Sequence, residues 1–353
     1  MALWQRELNA PAGRALNSVG ITRLTKGITE KNRMDLFRMR AARMGKDELC
    51  AVDSTSMSTY GFNLVDIRWG KNKEHLPLRQ TLEVVVYSLS THMPIYYKEL
   101  PGNMPDSRTV ELILTELEHA GFRNLILITD RGYESMKNLE MYIAKVQKVI
   151  TSLEVSNRDV LNLITGIDMS EGYPKGMKLS AKEKLYYAQY SKDYFVSGNG
   201  DNVIKADKYR INLYFSPMKR AEAMCDIQEA IDGQSAAVAA LVADKKRVVN
   251  QDDVKRQFNM LKLSFNEDST IASFEENAEK KASMLLTAGF FASKTIGVDF
   301  DPLQAMNNYG MRDEQEKCFA LQKGPLGHDR LRTWSEGGKR GRPNKPKVDK
   351  QEF

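Results

Sequence analysis

Leu125-Ile-Leu-Ile-Thr-Asp130 is the stretch that decides the fold. Its apolar residues follow one another without alternation, which predicts a short strand covered on both faces. It ends at an acid, in Asp130-Arg131-Gly132. Upstream, Val110, Ile113, Leu114 and Leu117 share one face of a helix that Glu111, Glu116 and Glu118 largely avoid. Asp106 and Ser107 suit its start as caps, and Gly121 suits its stop. Downstream, a second helix is expected over 135–145 and a strand over 149–155. Further back, Leu82 to Leu89 reads as a Val-rich strand and Met93 to Leu100 as its antiparallel neighbour, with turn chemistry at Pro101-Gly102-Asn103. Leu49-Cys-Ala-Val-Asp53 is a second apolar run that closes on an acid. Three strands, a helix, a strand, a helix and a strand predict an α/β fold built on a mixed sheet.

In such sheets, sites gather at the carboxyl ends of parallel strands. Asp53 and Asp130 are both expected at strand ends, where parallel neighbours would let the two carboxylates share a metal. A third acid stands in Tyr309-Gly-Met-Arg312-Asp-Glu-Gln-Glu316, followed seven residues later by Lys323. On one helix at about 100° per residue, Tyr309, Arg312, Glu316 and Lys323 fall within an arc of roughly 60°. Glu314 is a rival for the third acid but lies about 160° away from Glu316 on that helix. A carboxylate flanked by cations suits a site that holds a divalent metal and a phosphate together. Cleaving a phosphodiester, or attacking it with a DNA 3′-hydroxyl, requires a deprotonated nucleophile and a neutralised leaving oxygen; paired divalent ions do both. The expectation is one metal site formed by Asp53, Asp130 and Glu316, with Asp53 bridging two ions (Mg²⁺ or Mn²⁺) and each of the other acids completing one. Arg312 and Lys323 would hold phosphates, the first as a planar fork and the second as a point charge.

Composition agrees with a folded soluble chain, at 42% hydrophobic and 28% charged residues. Ala236 to Ala243, the longest apolar stretch, is too short to span a membrane, and the start lacks the apolar core of a signal peptide. Cys50, Cys225 and Cys318 are odd in number and far apart, which predicts reduced thiols in a cytoplasm. With four His residues, a His-based metal centre is not expected. The net charge of +6 is a weak pointer to nucleic acid. Six Lys/Arg against one Asp between Lys339 and Lys350 say more. There, Arg340-Gly-Arg342-Pro343 is similar to an AT-hook core, whose arginines enter a narrow minor groove. The plainer reading of this tail (337–353) is disordered basic chain.

Residues 1–48 are expected to be mostly helical. Met34, Phe37, Ala41 and Met44 form an apolar face for packing on the next domain, and Arg33, Arg38, Arg40 and Arg43 form a basic one. The core is expected in two parts, 49–156 and 281–336, separated by an insertion over 157–280. Within the insertion, Tyr209 to Phe215 reads as a strand, and Ala221 to Ile231 and Asp252 to Leu263 as helices. Leu285, Leu286, Phe290 and Phe291 are buried candidates. Arg131 and Tyr133 are candidates for DNA contact or for local packing; Trp4, Trp69 and Trp334 are expected to be buried rather than stacked on bases.

On these residues the chain resembles the bacterial insertion-sequence transposases of the Asp-Asp-Glu type. One branch carries Tyr-x₂-Arg-x₃-Glu-x₆-Lys, matched by Tyr309, Arg312, Glu316 and Lys323 at every spacing. The first acid matches Asp53 in Ala-Val-Asp-Ser-Thr-Ser and the second Asp130 in Ile-Thr-Asp-Arg-Gly-Tyr. Leu100-Pro-Gly-Asn103 with Asp106-Ser107 is similar to the family's loop before the first core helix. The resemblance implies a ribonuclease-H-like mixed sheet with helices on both faces, interrupted by an insertion before the last catalytic helix. It also implies two metal ions, cleavage at element ends, strand transfer into target DNA and a synaptic homodimer, with the protein at the nucleoid. Because 48 residues precede the core and the chain stops soon after its basic tail, a second expectation is a non-catalytic, DNA-binding remnant of a truncated transposase. An α/β phosphohydrolase with Asp53 as covalent nucleophile ranks last, since Thr55 stands where a second acid would be needed.

Overall fold

The computed structural model describes residues 18–61, 64–70, 78–197 and 203–323. The chain divides into two compact units. The first comprises residues 1–152, 192–209 and 294–353; the second comprises 153–191 and 210–293. The insertion expected over 157–280 falls largely in the second unit, while residues 192–209 count with the first.

In the first unit, helices α1 (Ser18–Lys26) and α2 (Glu30–Ala41) precede strand β1 (Leu49–Thr59). Thr29 caps α2 in a reciprocal capping box with Asn32. Phe37 is fully buried, with its ring 4.9 Å from that of Tyr96 and 5.4 Å from that of Tyr97. Arg40 donates to the Pro94 carbonyl at 2.6 Å. The expected packing role of this helix is what the structure contains.

Strands β2 (Arg79–Ser88) and β3 (Met93–Pro101) form the antiparallel pair read from the sequence. Helix α3 (Asp106–His119), strand β4 (Ile126–Thr129), a 3₁₀ turn (Arg131–Tyr133), helix α4 (Met136–Ala144) and strand β5 (Lys148–Leu153) follow. The strand order is β3-β2-β1-β4-β5. β1 is antiparallel to β2 and parallel to β4, and β4 is parallel to β5.

Successive side chains on a strand face opposite sides. Ala51, Ile126, Ile128 and Ile150 pack on one face with Tyr309 and Cys318. Val52, Leu127 and Thr129 face Val110, Ile113 and Leu114 of α3 and Tyr142 of α4 on the other. Helices therefore cover both faces, which is why the 125–129 run is apolar throughout.

Gly102 does more than turn the chain. A Cβ there would lie 2.0 Å from the Gln80 carbonyl oxygen, so only glycine permits this approach. Ser135 caps α4 by accepting from the Asn138 N–H at 3.1 Å. Ser135→Ala is expected to lower the unfolding free energy by about 1 kcal/mol, read as an earlier urea midpoint at unchanged slope.

Helix α5 (Arg158–Thr165) and strand β6 (Lys178–Ser180) lie in the second unit, and β6 is antiparallel to β7 (Leu185–Ser197), which passes into the first unit at Lys192. β8 (Val203–Phe215) lies beside β7. Helix α6 (Pro217–Ala243) is longer than the 221–231 helix expected. The helix expected over 252–263 is instead a short α7 (Gln251–Gln257) followed by strand β9 (Leu261–Phe265), which pairs with β10 (Ile271–Glu276). Asn250 caps α7 on two N–H groups, and the Leu261, Leu263, Phe265 alternation belongs to a strand. Helix α8 (Ala278–Thr287) leads to β11 (Phe290–Ile296). Ile227, Ile231 and Met260 form a core that Leu285 joins, whereas Leu286 is exposed.

Residues Lys294–Ile296 of β11 count with the first unit again. Helices α9 (Pro302–Gly310) and α10 (Asp313–Lys323) complete the description. No helix among the described residues is long and apolar enough to cross a membrane.

Candidate active site

Asp53 does not end its strand; it is the fifth residue of β1, whose antiparallel pairing continues to Thr59 opposite Arg79. What ends nearby is the parallel pairing, at Val52 opposite Thr129. Asp53 and Asp130 thus follow the last matched pair on strands about 4.8 Å apart. Alternation puts both on the face of Ala51, Ile126 and Ile128, beneath α9 and α10. The Ser54 N–H donates to Asp53 Oδ1 at 2.7 Å, and the Arg131 N–H donates to Asp130 Oδ1 at 2.7 Å. Ser152 Oγ and the Tyr309 hydroxyl lie 3.4 and 3.5 Å from the same Asp130 oxygen.

The four-residue stripe is not on one helix. Tyr309 lies near the end of α9, Arg312 in the tight turn after Gly310, and Glu316 and Lys323 on α10. Gly310 weakens the helix there, and the Gln315 N–H is drawn to the Arg312 carbonyl at 2.9 Å in a three-residue turn. Spacing alone assumed an unbroken helix. α10 is then pinned by buried Gln315, whose side-chain amide donates to the Val85 carbonyl at 3.0 Å. Asp53, Thr55, Asp130, Glu316, Phe319, Ala320 and Lys323 line one open cavity of about 320 Å³. The three candidate acids therefore open onto one cavity. Glu314 faces elsewhere, paired with His92 at 2.7 Å.

A guanidinium stands between two of the acids. Arg312 Nη1 lies 3.5 Å from Asp130 Oδ2, and Nη2 pairs with Glu316 Oε1 at 2.5 Å. Its side chain is 12% exposed and lies over the Tyr309 ring, 5.5 Å from the centroid. Burial opposes the Arg312 charge, but Tyr309, Asp130, Asp53 and Glu316 outweigh it, so its pKa lies above the ordinary arginine value. Burial raises the Tyr309 hydroxyl's pKa, opposed by Ser152 and Arg312 and reinforced by Asp130 and Glu316.

Among the described residues, no three Asp, Glu, His or Cys side chains stand close enough to hold one ion. Glu316, half exposed, is engaged by Arg312 in an i,i+4 ion pair. In kind, the donors fit Mg²⁺ or Mn²⁺, which take carboxylate oxygens and keep several waters. The Arg312 guanidinium demonstrates that Asp130 and Glu316 together accommodate positive charge.

Residues 44–333 match the family described as Transposase DDE domain. The chain belongs to this family. Among curated proteins no relative matches. Similar solved structures include a piggyBac transposase synaptic complex with hairpin DNA, at 8% identity and TM-score 0.36, covering 81% of this chain and 43% of that one. A Mos1 transposase paired-end complex with the left transposon end follows at 13% identity and TM-score 0.22, covering 42% and 48%. A Drosophila P element transposase strand transfer complex stands at 12% and 0.19, covering 42% of each chain. The chain thus spans less than half the length of these proteins, and the likenesses are too slight to add to the family assignment.

Several neighbours of this candidate site were not singled out as site residues from the sequence. Ser152 follows Thr151, the partner of Thr129, so the β4–β5 register sets it beside Asp130. Asp106, read as a cap, accepts a hydrogen bond from Ser54 Oγ behind Asp53. Tyr133, a candidate for DNA contact, is 1% exposed and packs in the interior. Trp69, expected to be buried, is exposed, with the Arg79 guanidinium 5.8 Å from its ring centroid. Arg340, Arg342, Trp4 and Trp334 lie outside the described residues.

Proposed function

We propose that this chain is a DNA transposase that cleaves and joins strands at the ends of an insertion element, using a ribonuclease-H-like core. The observation that carries this reading is the shared cavity: Asp53 and Asp130 follow the last parallel pair, and Glu316 and Lys323 of α10 open onto the same space. The β3-β2-β1-β4-β5 order, antiparallel then parallel, with helices on both faces, supports the core assignment.

Asp53, Asp130 and Glu316 would hold two Mg²⁺ or Mn²⁺ ions. When bound, such ions deprotonate the attacking hydroxyl or water and offset charge on the leaving oxygen. The chain's own residues then have distinct tasks. Asp130 is oriented by the Arg131 N–H and Asp53 by the Ser54 N–H. Tyr309 borders Asp130 and carries the Arg312 guanidinium over its ring. Three carboxylates repel a phosphate, so Lys323 on the cavity wall and Arg312 supply the positive charge that admits one. Arg340 and Arg342 would add nonspecific, salt-sensitive attraction to DNA. The partners in this reading are element ends, target DNA and a second copy of the chain in the synaptic complex, in a bacterial cytoplasm at the nucleoid.

A second reading, a DNA-binding protein without cleavage, is favoured by the Arg312 clamp on two of the acids. One assay separates the two. Purified chain is incubated with supercoiled plasmid and Mn²⁺ or Mg²⁺. The transposase reading expects nicked circles that vanish with EDTA. Salt-sensitive DNA binding with no nicking under either ion overturns it in favour of the second.

A further inference from the structure

Asp106 is the first residue of α3, and the N-cap position is taken by Pro105, without a side-chain cap bond. Ser54 Oγ donates to Asp106 Oδ1 at 2.6 Å. Ser54 is buried and follows Asp53, so it points to the opposite face of the sheet, toward α3. Asp106 also abuts the turn after Asp130. A Cβ on Gly132 would stand 3.2 Å from Asp106 Oδ2, so the glycine lets the carboxylate lie against that turn.

A second tie joins the same segments. Buried Asn138 donates through its one amide nitrogen to the Ser107 carbonyl at 2.9 Å and the Tyr133 carbonyl at 2.7 Å. The Tyr133 hydroxyl is buried, and its pKa is pushed up by burial and by the charges of Asp106 and Asp53. One carboxylate thus touches both the residue after Asp53 and the turn that supplies the Arg131 N–H to Asp130.

We propose that Asp106 is a positioning residue for Asp53 and Asp130, setting their relative placement from behind the sheet through Ser54 and the 131–133 turn. The reaction it serves is the one proposed above, and the inference rests on that reading for its kinetic consequence. Asp106 does not reach the cavity; it acts by holding the two backbone segments from which the acids project.

The test uses the full chain with Asp106→Ala, Asp106→Asn, Ser54→Ala and the Ser54→Ala/Asp106→Ala pair. Mn²⁺-dependent plasmid nicking and amide hydrogen exchange are measured on each. Asp106→Ala is expected to lower turnover about 10- to 100-fold, the range for residues that orient metal-binding side chains, at unchanged apparent DNA affinity. Asp106→Asn keeps an acceptor for Ser54 and restores most of the loss. Ser54→Ala lowers turnover in the same direction, and the double variant is no worse than Asp106→Ala. Exchange quickens in peptides over 53–56 and 130–134 and is unchanged over 84–88.

Wild-type turnover and exchange in Asp106→Ala overturn the inference. So do losses that multiply in the double variant, or an Asn variant as damaged as the Ala one. If Asp106→Ala does not fold, Ser54→Ala and Asp106→Asn decide by the same criteria. If the wild-type chain never nicks DNA, the functional reading falls, and the exchange comparison alone decides whether Asp106 holds the two segments.

Discussion

Asp53→Asn is expected to reduce metal-dependent nicking by at least about 10³-fold, with no change in fold. Asparagine keeps the volume of aspartate and an oxygen that accepts from the Ser54 N–H, so that bond is retained. It removes the charge. An ion held at such a site contributes several kcal/mol of transition-state charge stabilisation. Each 1.36 kcal/mol is a factor of ten in rate, so losing its central ligand costs about three decades or more. Glu314→Gln is the matched control, because Glu314 pairs with His92 away from the cavity; its nicking rate should equal wild type. Plasmid nicking is followed in Mn²⁺ for both variants, with circular dichroism to verify folding. Asp53→Asn turnover within tenfold of wild type rules Asp53 out as an essential ligand.

The parts of this site that were legible in the sequence are those set by local pattern. The apolar run before Asp130 predicted a strand covered on two faces, and Ile128 and Leu127 do pack on opposite sides. Asp53 was read as a strand end because the apolar run Leu49-Cys-Ala-Val closes on it and gives way to Ser54-Thr-Ser-Met-Ser-Thr59. Those residues continue β1 opposite β2, and Ser54, Thr55, Ser56, Ser58 and Thr59 are all buried. Backbone pairing satisfies their main chain, which composition does not report. The Tyr309–Lys323 spacing did not carry over as a single helical stripe. Angular arithmetic presumes a continuous helix, and the turn after Gly310 resets the phase between Tyr309 and Glu316. That Arg312 would occupy the gap between Asp130 and Glu316 depends on how α10 sits over β4, a tertiary relation with no local signature. The Asp106–Ser54 bond was hidden for the same reason: both residue types have commoner local roles, as caps and as strand polar groups.

Glu134→Leu is expected to destabilise the first unit by about 3 kcal/mol, the lower end of what breaking a buried ion pair costs. Glu134 directly follows the 131–133 turn, and its carboxylate accepts from Lys294 Nζ at 2.7 Å. The Lys294 side chain is 6% exposed and the Glu134 side chain 22%. The asymmetry sets the order of effects. Without Glu134, the ammonium remains desolvated, with the Tyr209 ring 5.0 Å away as a weaker offset to its charge. Without Lys294, the carboxylate can turn toward water, so Lys294→Met should cost about half as much. With both replaced, in Lys294→Met/Glu134→Leu, no buried charge is left unpaired, and stability should return to within about 1 kcal/mol of wild type. Urea unfolding of the three variants measures these differences. Additive losses in the double variant would mean that the pair is not coupled and that its burial, rather than its charge, holds β11 to the Asp130 turn. Recovery would identify the pair as an electrostatic link, through which the return of the chain at Lys294 bears on the segment that carries Asp130.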